Sequence, residues 1–353
     1  MSFEDNDYTS INVVPVVDLP DKVRLQDVRV EHILAAYQRK FSASPLFVIR
    51  VPGRVNLIGE HIDYCGYSVF PMALQQNIMM AVGLGGTVPI RMANTDSQYP
   101  DVSIELADIE FPKQIKWYHY FLCGYKGVVD KYCEGAQCPP INVMVDGNIP
   151  PASGLSSSSA MVVASAMTTL ISYYQSLCEW LLFIIYHYLI YFILVKISTP
   201  IPKLEIALLC IKCERYIGTD SGGMDQAIAI LAEEGSAKII DFIPNLNATN
   251  VQLPTGVSFY IAHSGVSMHK AATAHYNTRV AETKLAAAFI AKRLKIAGYK
   301  LGDQLWVVQQ ASAIPLAEIG EQLANIFDVN KDSYNRTEIC SILGELTEIY
   351  LYL

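Results

Sequence analysis

The sequence predicts a globular protein in which α-helices and β-strands are mixed within two or three domains. Its 353 residues exceed the roughly 100–200 residues of one typical domain. This length excludes a small disulfide-stapled module. Apolar residues make up 52% of the chain and charged residues 17%, which excludes intrinsic disorder. Short β-branched runs alternate with stretches whose apolar residues recur every three or four positions, the patterns of strands and helices.

The first amphipathic helix is predicted over residues 28–41, after a polar, proline-containing arm at 1–25. Its apolar residues, among them Ile33, Leu34 and Tyr37, fall on one helix face. The same spacing, or a continuous apolar run, predicts further helices at 115–132, 157–171, 203–216 and 269–294, with helical structure over 302–353.

The predicted strands are short apolar runs, of which the first ends at the turn Pro52-Gly53. A short β-branched run that leads into a Pro-Gly pair is typical of a strand that runs into a turn. The predicted strands lie near 46–51, 77–83, 88–93, 141–146, 237–242 and 257–263.

Charge and cysteine content narrow the function classes. The chain carries 34 acidic and 26 basic residues, a formal net charge of −8, so it has no general attraction for nucleic acid or anionic lipid. A small-molecule partner is therefore expected.

The eight cysteines are scattered, and Cys210 and Cys213 lack a second pair at zinc spacing, so we interpret them as buried thiols. With no signal peptide in evidence, a cytoplasmic, reducing location is expected.

One apolar stretch needs separate treatment. Residues 180–195 contain no Asp, Glu, Lys or Arg over sixteen positions, but a membrane helix needs about 20 apolar residues. His187 would lie near the middle of such a span at an energetic cost. The alternatives are a buried or surface-lying helix and a segment foreign to the fold, such as translated non-coding sequence. We predict that the stretch does not span a membrane.

A serine-rich loop precedes the helix predicted at 157–171. Gly154 and the serines 156–159 can fold closely over a ligand, and the helix that follows presents free N–H groups and a positive dipole end. The hydroxyl oxygens suit phosphate or Mg²⁺. The segment lacks the Gly-Lys-Ser/Thr ending of a Walker A loop. The plainer interpretation is a linker with an ordinary N-cap.

A second segment concentrates charge in an otherwise apolar region. Arg54, Glu60, His61 and Asp63 fall within ten residues. Carboxylates beside a histidine suit hydrogen bonding to a polyhydroxyl ligand, and the arginine supplies fixed positive charge. An exposed charged turn is the alternative.

The third segment surrounds one carboxylate with glycines. Asp225 follows Gly222-Gly223-Met224 and enters an apolar helix. This arrangement fits a catalytic aspartate held on a rigid element, and it also fits a helix with an acidic first turn.

These segments together resemble a known family. Pro52 to Tyr64 resembles the signature of galactokinases, and Pro150 to Ala160 resembles the second motif of the GHMP kinase superfamily. The sequence from Glu60 to Tyr67 is most similar to that of the N-acetylgalactosamine kinase branch. The resemblance continues through 222–226 and 270–276, and it covers roughly 28–170 and 203–300.

The resemblance implies an α+β fold of two lobes. It implies an S5-like N-terminal GHMP kinase lobe at 26–235 and a ferredoxin-like C-terminal lobe at 236–353. Against the family pattern, residues 173–202 form an atypical apolar insertion, and the family's third, glycine-rich motif is missing, so the second lobe is expected to be incomplete. A monomer is expected.

The implied reaction is ATP-dependent phosphorylation of the anomeric hydroxyl of galactose or N-acetylgalactosamine, with Mg²⁺. A galactokinase-like sugar sensor that does not turn over substrate and an inactive truncated gene product are the alternatives.

The resemblance also implies roles for individual residues. Arg54 and Asp225 would be catalytic, Arg54 between the sugar and the γ-phosphate and Asp225 orienting the hydroxyl or accepting its proton. The implied sugar-binding residues are Arg54, Glu60, His61, Asp63, Gly222, Asp225 and Tyr276. The implied nucleotide-binding residues are Asn94, Trp117, Tyr120, Gly154, Ser156, Ser157, Ser158, His269 and Lys270. Ser158 and Glu214 would hold Mg²⁺, although the family's metal carboxylate aligns with Cys213.

Overall fold

The structure is a computed structural model that describes residues 28–112, 114–133, 138–188, 201–262, 264–266, 275–328 and 330–344, with the backbone alone at 178–188. The predicted arm at 1–25 and the last residues of the chain lie outside this range.

The strands that the structure describes are β1 (Phe47–Asn56), β2 (Pro71–Leu84), β3 (Ile90–Asn94), β4 (Val102–Ile104), β5 (Ile141–Gly147), β6 (Ser236–Asp241) and β7 (Asn247–Gln252). The first five form one mixed sheet in the order β1-β2-β5-β3-β4. The pairs β1/β2, β2/β5 and β3/β4 are antiparallel, and β3/β5 is parallel. A separate antiparallel pair, β6/β7, touches the first sheet through a bridge between Val69 and Ile240.

The helices that the structure describes follow the predicted order, with one extended and the C-terminal stretch divided into three. They are α1 (Val28–Phe41), α2 (Trp117–Tyr132), α3 (Ser157–Tyr188), α4 (Lys203–Cys213), α5 (Met224–Leu231), α6 (His275–Arg293), α7 (Leu305–Ser312), α8 (Ile319–Ile326) and α9 (Arg336–Leu343). A 3₁₀ turn at Glu214–Ile217 links α4 to the segment before α5.

Strand β2 shows why the sheet is covered on both faces. Successive side chains point to opposite faces of a strand. Met80 and Val82 pack into the main core with α2 and α3, whereas Met79 and Ala81 pack against α1. Helices α2 and α3 pack so closely that a Cβ on Gly124 would lie 2.3 Å from the Val162 carbonyl oxygen. The core therefore fixes the end of β5, the central strand, from which the serine-rich loop departs.

Helix α6 packs against the loop that follows β1 and carries the charged segment. Tyr276 and Val280 form a small buried cluster with Tyr64 and Cys65. Further along α6, Ala287 and Ile290 pack with α7 in a separate cluster. The N-terminal end of α6 therefore lies beside the predicted sugar-binding loop.

The predicted pairing of strands at 237–242 and 257–263 is wrong. Strand β6 pairs with β7, at Asn247–Gln252, and residues 257–262 belong to no strand or helix. Only five residues separate β6 from β7, and a short hairpin closes at a lower entropic cost than a longer loop. The polar sequence of β7, NATNVQ, gave no hydrophobic alternation by which to detect it.

The apolar stretch at 180–195 lies partly outside the described residues. The backbone of α3 continues through residues 180–188, past the predicted helix end at 171, while 189–195 are not described. Among the helices that the structure describes, none is both long and apolar enough to cross a membrane. Helices α3 and α4, on either side of the stretch, pack against each other.

Candidate active site

A buried ion pair lies at the centre of the site. Arg54 is carried by β1 and Asp225 by the first turn of α5, and the Arg54 Nε donates to the Asp225 Oδ1 at 2.6 Å. Both residues are buried, with exposed fractions of 3% and 6%. Burial lowers the pKa of Arg54, but the attraction of Asp225, with smaller contributions from Glu60 and Asp63, outweighs it and raises that pKa. The arginine is therefore a fixed positive charge.

The same arginine holds the serine-rich loop. Its Nη1 donates to the carbonyl oxygen of Gly154 at 2.6 Å, and its backbone N–H donates to the carbonyl oxygen of Leu155 at 3.2 Å. Gly154 and Ser156 have positive φ angles of 76° and 60°, so the chain turns sharply before α3 begins at Ser157. The N-terminus of α3 then supplies N–H groups and a positive dipole end to the space above the loop.

A cavity of about 500 Å³ opens between this loop and α2. Its volume falls within the range of small-molecule pockets. Burial, with a contribution from Glu214, raises the pKa of Tyr120 to about 12, so this phenol stays neutral. Eight of the predicted nucleotide- and metal-site residues line the cavity: Asn94, Trp117, Tyr120, Gly154, Ser156, Ser157, Ser158 and Glu214.

One loop oxygen stands out in its bonding. Within the part of the chain that the structure describes, the Ser156 Oγ is buried and has no hydrogen-bond partner. A buried hydroxyl without a partner costs about 1–3 kcal/mol. An oxygen-rich ligand in the cavity, such as a phosphate group, would supply the missing partner.

The structure distinguishes Cys213 from Glu214 at the predicted metal position. Cys213 is 1% exposed, and its sulfur points at Gly127 on α2. Burial raises the pKa of Cys213 to about 12, so the thiol is not a ready metal ligand. Glu214 lies on the cavity wall together with Ser158. A carboxylate and a hydroxyl are the hard oxygen donors that Mg²⁺ prefers, and these two residues fit that ion.

The described residues contain no group of three or more His, Cys, Asp or Glu side chains placed to hold a metal ion by themselves. Mg²⁺ usually keeps several waters and binds through one or two carboxylates plus substrate phosphates. The sparse donor set at Ser158 and Glu214 is therefore compatible with a metal that arrives with a nucleotide.

Ser159 is a site residue that the sequence reasoning missed. It is 1% exposed, and its hydroxyl donates to Glu214 and lies 3.4 Å from the Asp225 Oδ2. One buried hydroxyl thus lies between the carboxylate on the cavity wall and the carboxylate of the ion pair. The run of four serines was visible in the sequence, but nothing in it indicated which serine faces which group.

The predicted sugar-binding residues divide into buried and exposed members. Asp63 is buried, and its Oδ2 accepts from the backbone N–H of Met224 at 3.4 Å. Tyr276 is also buried, and burial, with the charges of Asp63 and Asp225, raises the pKa of its phenol. These groups therefore lie next to the buried ion pair.

Glu60 and His61 are exposed. Glu60 accepts from the Asn56 Nδ2 at 2.6 Å. The ring of His61 lies with its centroid 5.6 Å from that of Tyr276, and its Nδ1 is 3.0 Å from the Tyr64 hydroxyl. Both side chains therefore lie at the exposed rim of the charged loop.

Gly222 permits the close approach of the glycine-rich segment to the charged loop. A Cβ at this position would lie 2.2 Å from the backbone nitrogen of Tyr64 and 2.5 Å from the Asp63 Cγ. Only glycine allows this contact. Helix α6 also contacts the turn that precedes Gly222, where the Asn277 Nδ2 donates to the Gly218 carbonyl oxygen at 2.5 Å. No pattern in the sequence indicates this second contact.

Two predicted nucleotide-site residues, His269 and Lys270, lie outside the described residues. Arg54 and Asp225 are not on the cavity wall, but they contact residues that are: Gly154 directly, and Glu214 through Ser159. A cavity that is lined by a serine-rich loop and a carboxylate, and that lies beside a buried arginine–aspartate pair, has the parts needed for phosphoryl transfer to a hydroxyl group.

The comparisons with known proteins agree with this geometry. Residues 120–233 match the GHMP kinases N terminal domain. Together with the mixed sheet and the loop at the start of α3, this match places the chain in the GHMP kinase superfamily and confirms the predicted α+β fold.

Residues 35–84 match the galactokinase galactose-binding signature. Galactokinase of Dictyostelium discoideum is 37% identical over 324 residues, which are 89% of this chain and 60% of that protein. Galactokinase of Schizosaccharomyces pombe is 32% identical over 288 residues, 76% of this chain and 51% of that protein. Within the superfamily, the chain belongs to the galactokinase family.

The crystal structure of Lactococcus lactis galactokinase complexed with galactose has the same fold, with a TM-score of 0.54 at 20% identity. The similarity covers 84% of this chain and 74% of that one. The chain spans only 60% of the length of the Dictyostelium discoideum galactokinase and 51% of the length of the Schizosaccharomyces pombe galactokinase. The resemblance to the N-acetylgalactosamine kinase branch stays a prediction.

Proposed function

We propose that this chain is an ATP-dependent sugar 1-kinase, which transfers the γ-phosphoryl group of ATP to the anomeric hydroxyl of galactose. The observation that carries the proposal is the buried pair of Arg54 and Asp225, held against the serine-rich loop at Gly154. A carboxylate and a fixed cation beside an anion-binding loop provide a proton acceptor and charge stabilisation at one place.

In the proposed mechanism, the phosphates bind at the loop around Gly154 and the N-terminus of α3, and the adenine binds near Trp117 and Tyr120. Asp225 orients the sugar hydroxyl or accepts its proton, and Arg54 stabilises the charge that develops on the transferred group. Mg²⁺, held at Ser158 and Glu214, would neutralise the phosphate charge when bound. Positioning and charge neutralisation account for most of the acceleration in such reactions.

The sugar would bind between the charged loop and the start of α6. The Asp63 carboxylate and the Tyr276 phenol lie beside Asp225, and Glu60 and His61 can reach the sugar from the rim. Relatives named as galactokinases support galactose as the acceptor. N-acetylgalactosamine is the second candidate acceptor, because an acetamido group is accommodated by pocket volume rather than by a motif.

The proposal is tested by measuring ADP formation from ATP with galactose, with N-acetylgalactosamine and without sugar, and by identifying the product by phosphorus NMR. We expect sugar-dependent ADP formation and a sugar 1-phosphate. The Asp225→Asn variant should lower kcat by at least about 10²-fold. Sugar binding without phosphoryl transfer would instead favour the sugar-sensor alternative, and ADP formation independent of sugar would contradict the proposed acceptor.

A further inference from the structure

Two cysteines outside the candidate active site form a close pair. Cys133 is the C-cap of α2, and Cys138 precedes β5. Their sulfur atoms lie 2.9 Å apart and share a hydrogen bond. Both residues are buried, with exposed fractions of 4% and 8%.

The pair differs chemically from the other buried thiols. The hydrogen bond from Cys138 lowers the pKa of Cys133 although burial opposes this, whereas the same contact raises the pKa of Cys138. Burial raises the pKa of Cys123 and Cys213. Because the thiolate is the reactive form of cysteine, Cys133 is suited to be the attacking group and Cys138 the resolving group.

We propose that Cys133 and Cys138 are an oxidation site that a peroxide converts into an intramolecular disulfide. The Cys133 sulfur attacks one peroxide oxygen, the O–O bond breaks, and the leaving hydroxide takes up the thiol proton to become water. The Cys138 sulfur then attacks the resulting sulfenic acid, the S–O bond breaks, and a second water leaves with the Cys138 proton. Two thiols and one peroxide thus give one disulfide and two waters.

Burial selects the oxidant and the product. A hydrogen peroxide molecule is little larger than water, whereas a peptide disulfide is too bulky to reach sulfurs that are so little exposed. The second thiol is already in contact with the first, so the sulfenic acid is captured before a further peroxide can oxidise it. The bond would join the end of α2 to the start of β5, two elements that carry walls of the 500 Å³ cavity.

The test uses the full chain, reduced and then treated with equimolar hydrogen peroxide. We expect the intact mass to fall by about 2 Da, the two hydrogens removed, with two thiols lost and both changes reversed by a dithiol reductant. The melting temperature of the oxidised protein should rise by about 3 °C, since a short ring is closed in the unfolded chain. Cys340→Ser, which changes a partly exposed thiol on α9, should behave like the wild type.

The Cys133→Ser/Cys138→Ser double variant should lose no thiol pair under the same treatment, and Cys138→Ser should accumulate a sulfenic acid at Cys133. If the double variant does not fold, peptide mapping of the oxidised wild-type chain locates the bond directly. A mass loss that persists in the double variant, a sulfinic acid at either position, or a covalent dimer through these cysteines would overturn the proposal.

Discussion

Replacing Asp225 with Asn removes one charge from a buried ion pair while preserving the shape of the side chain. Arg54 and Asp225 are 3% and 6% exposed, so bulk water cannot hydrate the arginine once its partner is neutral. Removing one partner of a buried pair costs about 3–5 kcal/mol. Because the amide oxygen of Asn can still accept from the Arg54 Nε, we expect the lower end, a loss of about 3 kcal/mol in the free energy of unfolding.

The expected pH dependence follows from the direction of the Arg54 pKa. Burial lowers this pKa, but Asp225 and the other nearby carboxylates raise it above its ordinary value. A pKa raised in the folded state stabilises the protein below the unfolded value and is lost only as the pH rises through the folded value. The contribution of Arg54 to the stability difference should therefore be constant between about pH 6 and about pH 9.

The assay is equilibrium unfolding in urea, with Asp220→Asn as the matched control. Asp220 pairs with the Lys284 Nζ at 2.6 Å, the same distance as in the Arg54 pair, but the two side chains are 38% and 22% exposed. Partly exposed pairs contribute about 0–1 kcal/mol. The interpretation of the buried pair is refuted if Asp225→Asn destabilises the chain by less than about 1 kcal/mol, or by no more than Asp220→Asn does.

Three further variants test the surroundings of this pair. Asp63→Ala should weaken sugar binding about tenfold or more, through loss of a charge-assisted hydrogen bond, and leave ATP binding nearly unchanged; calorimetry that found the reverse order would assign this loop to the nucleotide. Gly222→Ala should destabilise the chain by about 1–3 kcal/mol through overpacking, whereas Gly320→Ala, whose added Cβ meets nothing within 4 Å, should be neutral or stabilising in thermal unfolding. Ser159→Ala should lower kcat about tenfold or more with little change in the sugar KM. The control variant Ser165→Ala, which loses a hydrogen bond to the Phe121 carbonyl oxygen, should lower stability with a smaller effect on kcat. Equal kinetic effects of the two variants would contradict a positioning role for Ser159.

The sequence was sufficient to predict elements with strong apolar periodicity. Helix α1 spans Val28–Phe41, as predicted, because its buried residues Val30, Ile33, Ala36 and Tyr37 repeat at helical spacing against polar neighbours. In such a segment the local helix propensity and the burial of one face favour the same structure. The spacing of the apolar residues therefore predicts where the helix begins and ends.

Elements whose pairing depends on tertiary contacts were not predictable in the same way. The apolar run at 257–262 has the composition of a strand, yet the polar segment Asn247–Gln252 pairs with β6. Periodicity reports which residues could be buried in a sheet, but it does not report which strand closes a hairpin. The choice depends on loop closure, which the composition of a strand does not record.

The candidate site shows the same division. Residue types and spacing, together with the resemblance to galactokinases, indicated Arg54, Asp225 and the serine-rich loop. The sequence alone did not show whether Cys213 or Glu214 occupies the predicted metal position. In the structure, the helix ends at Cys213 and a 3₁₀ turn begins at Glu214. The glutamate lies on the cavity wall. Adjacent residues on a helical turn face different directions, so counting positions along the sequence could not settle it.

The surroundings of Asp225 show why helix content is a poor measure of whether the site is formed. Its carboxylate accepts a hydrogen bond from Arg54 on β1, which is 171 residues away along the chain, and lies near Ser159 on α3, which is 66 residues away. At the start of the same helix, the backbone N–H of Met224 donates to Asp63, which is 161 residues away. Each contact joins separate segments, whereas helix hydrogen bonds are local. A variant in which α5 separates from β1 can therefore retain nearly all of its far-ultraviolet circular dichroism while the ion pair is lost. The unfolding and kinetic measurements on Asp225→Asn and Ser159→Ala thus need a probe of tertiary packing, such as near-ultraviolet circular dichroism, alongside helicity.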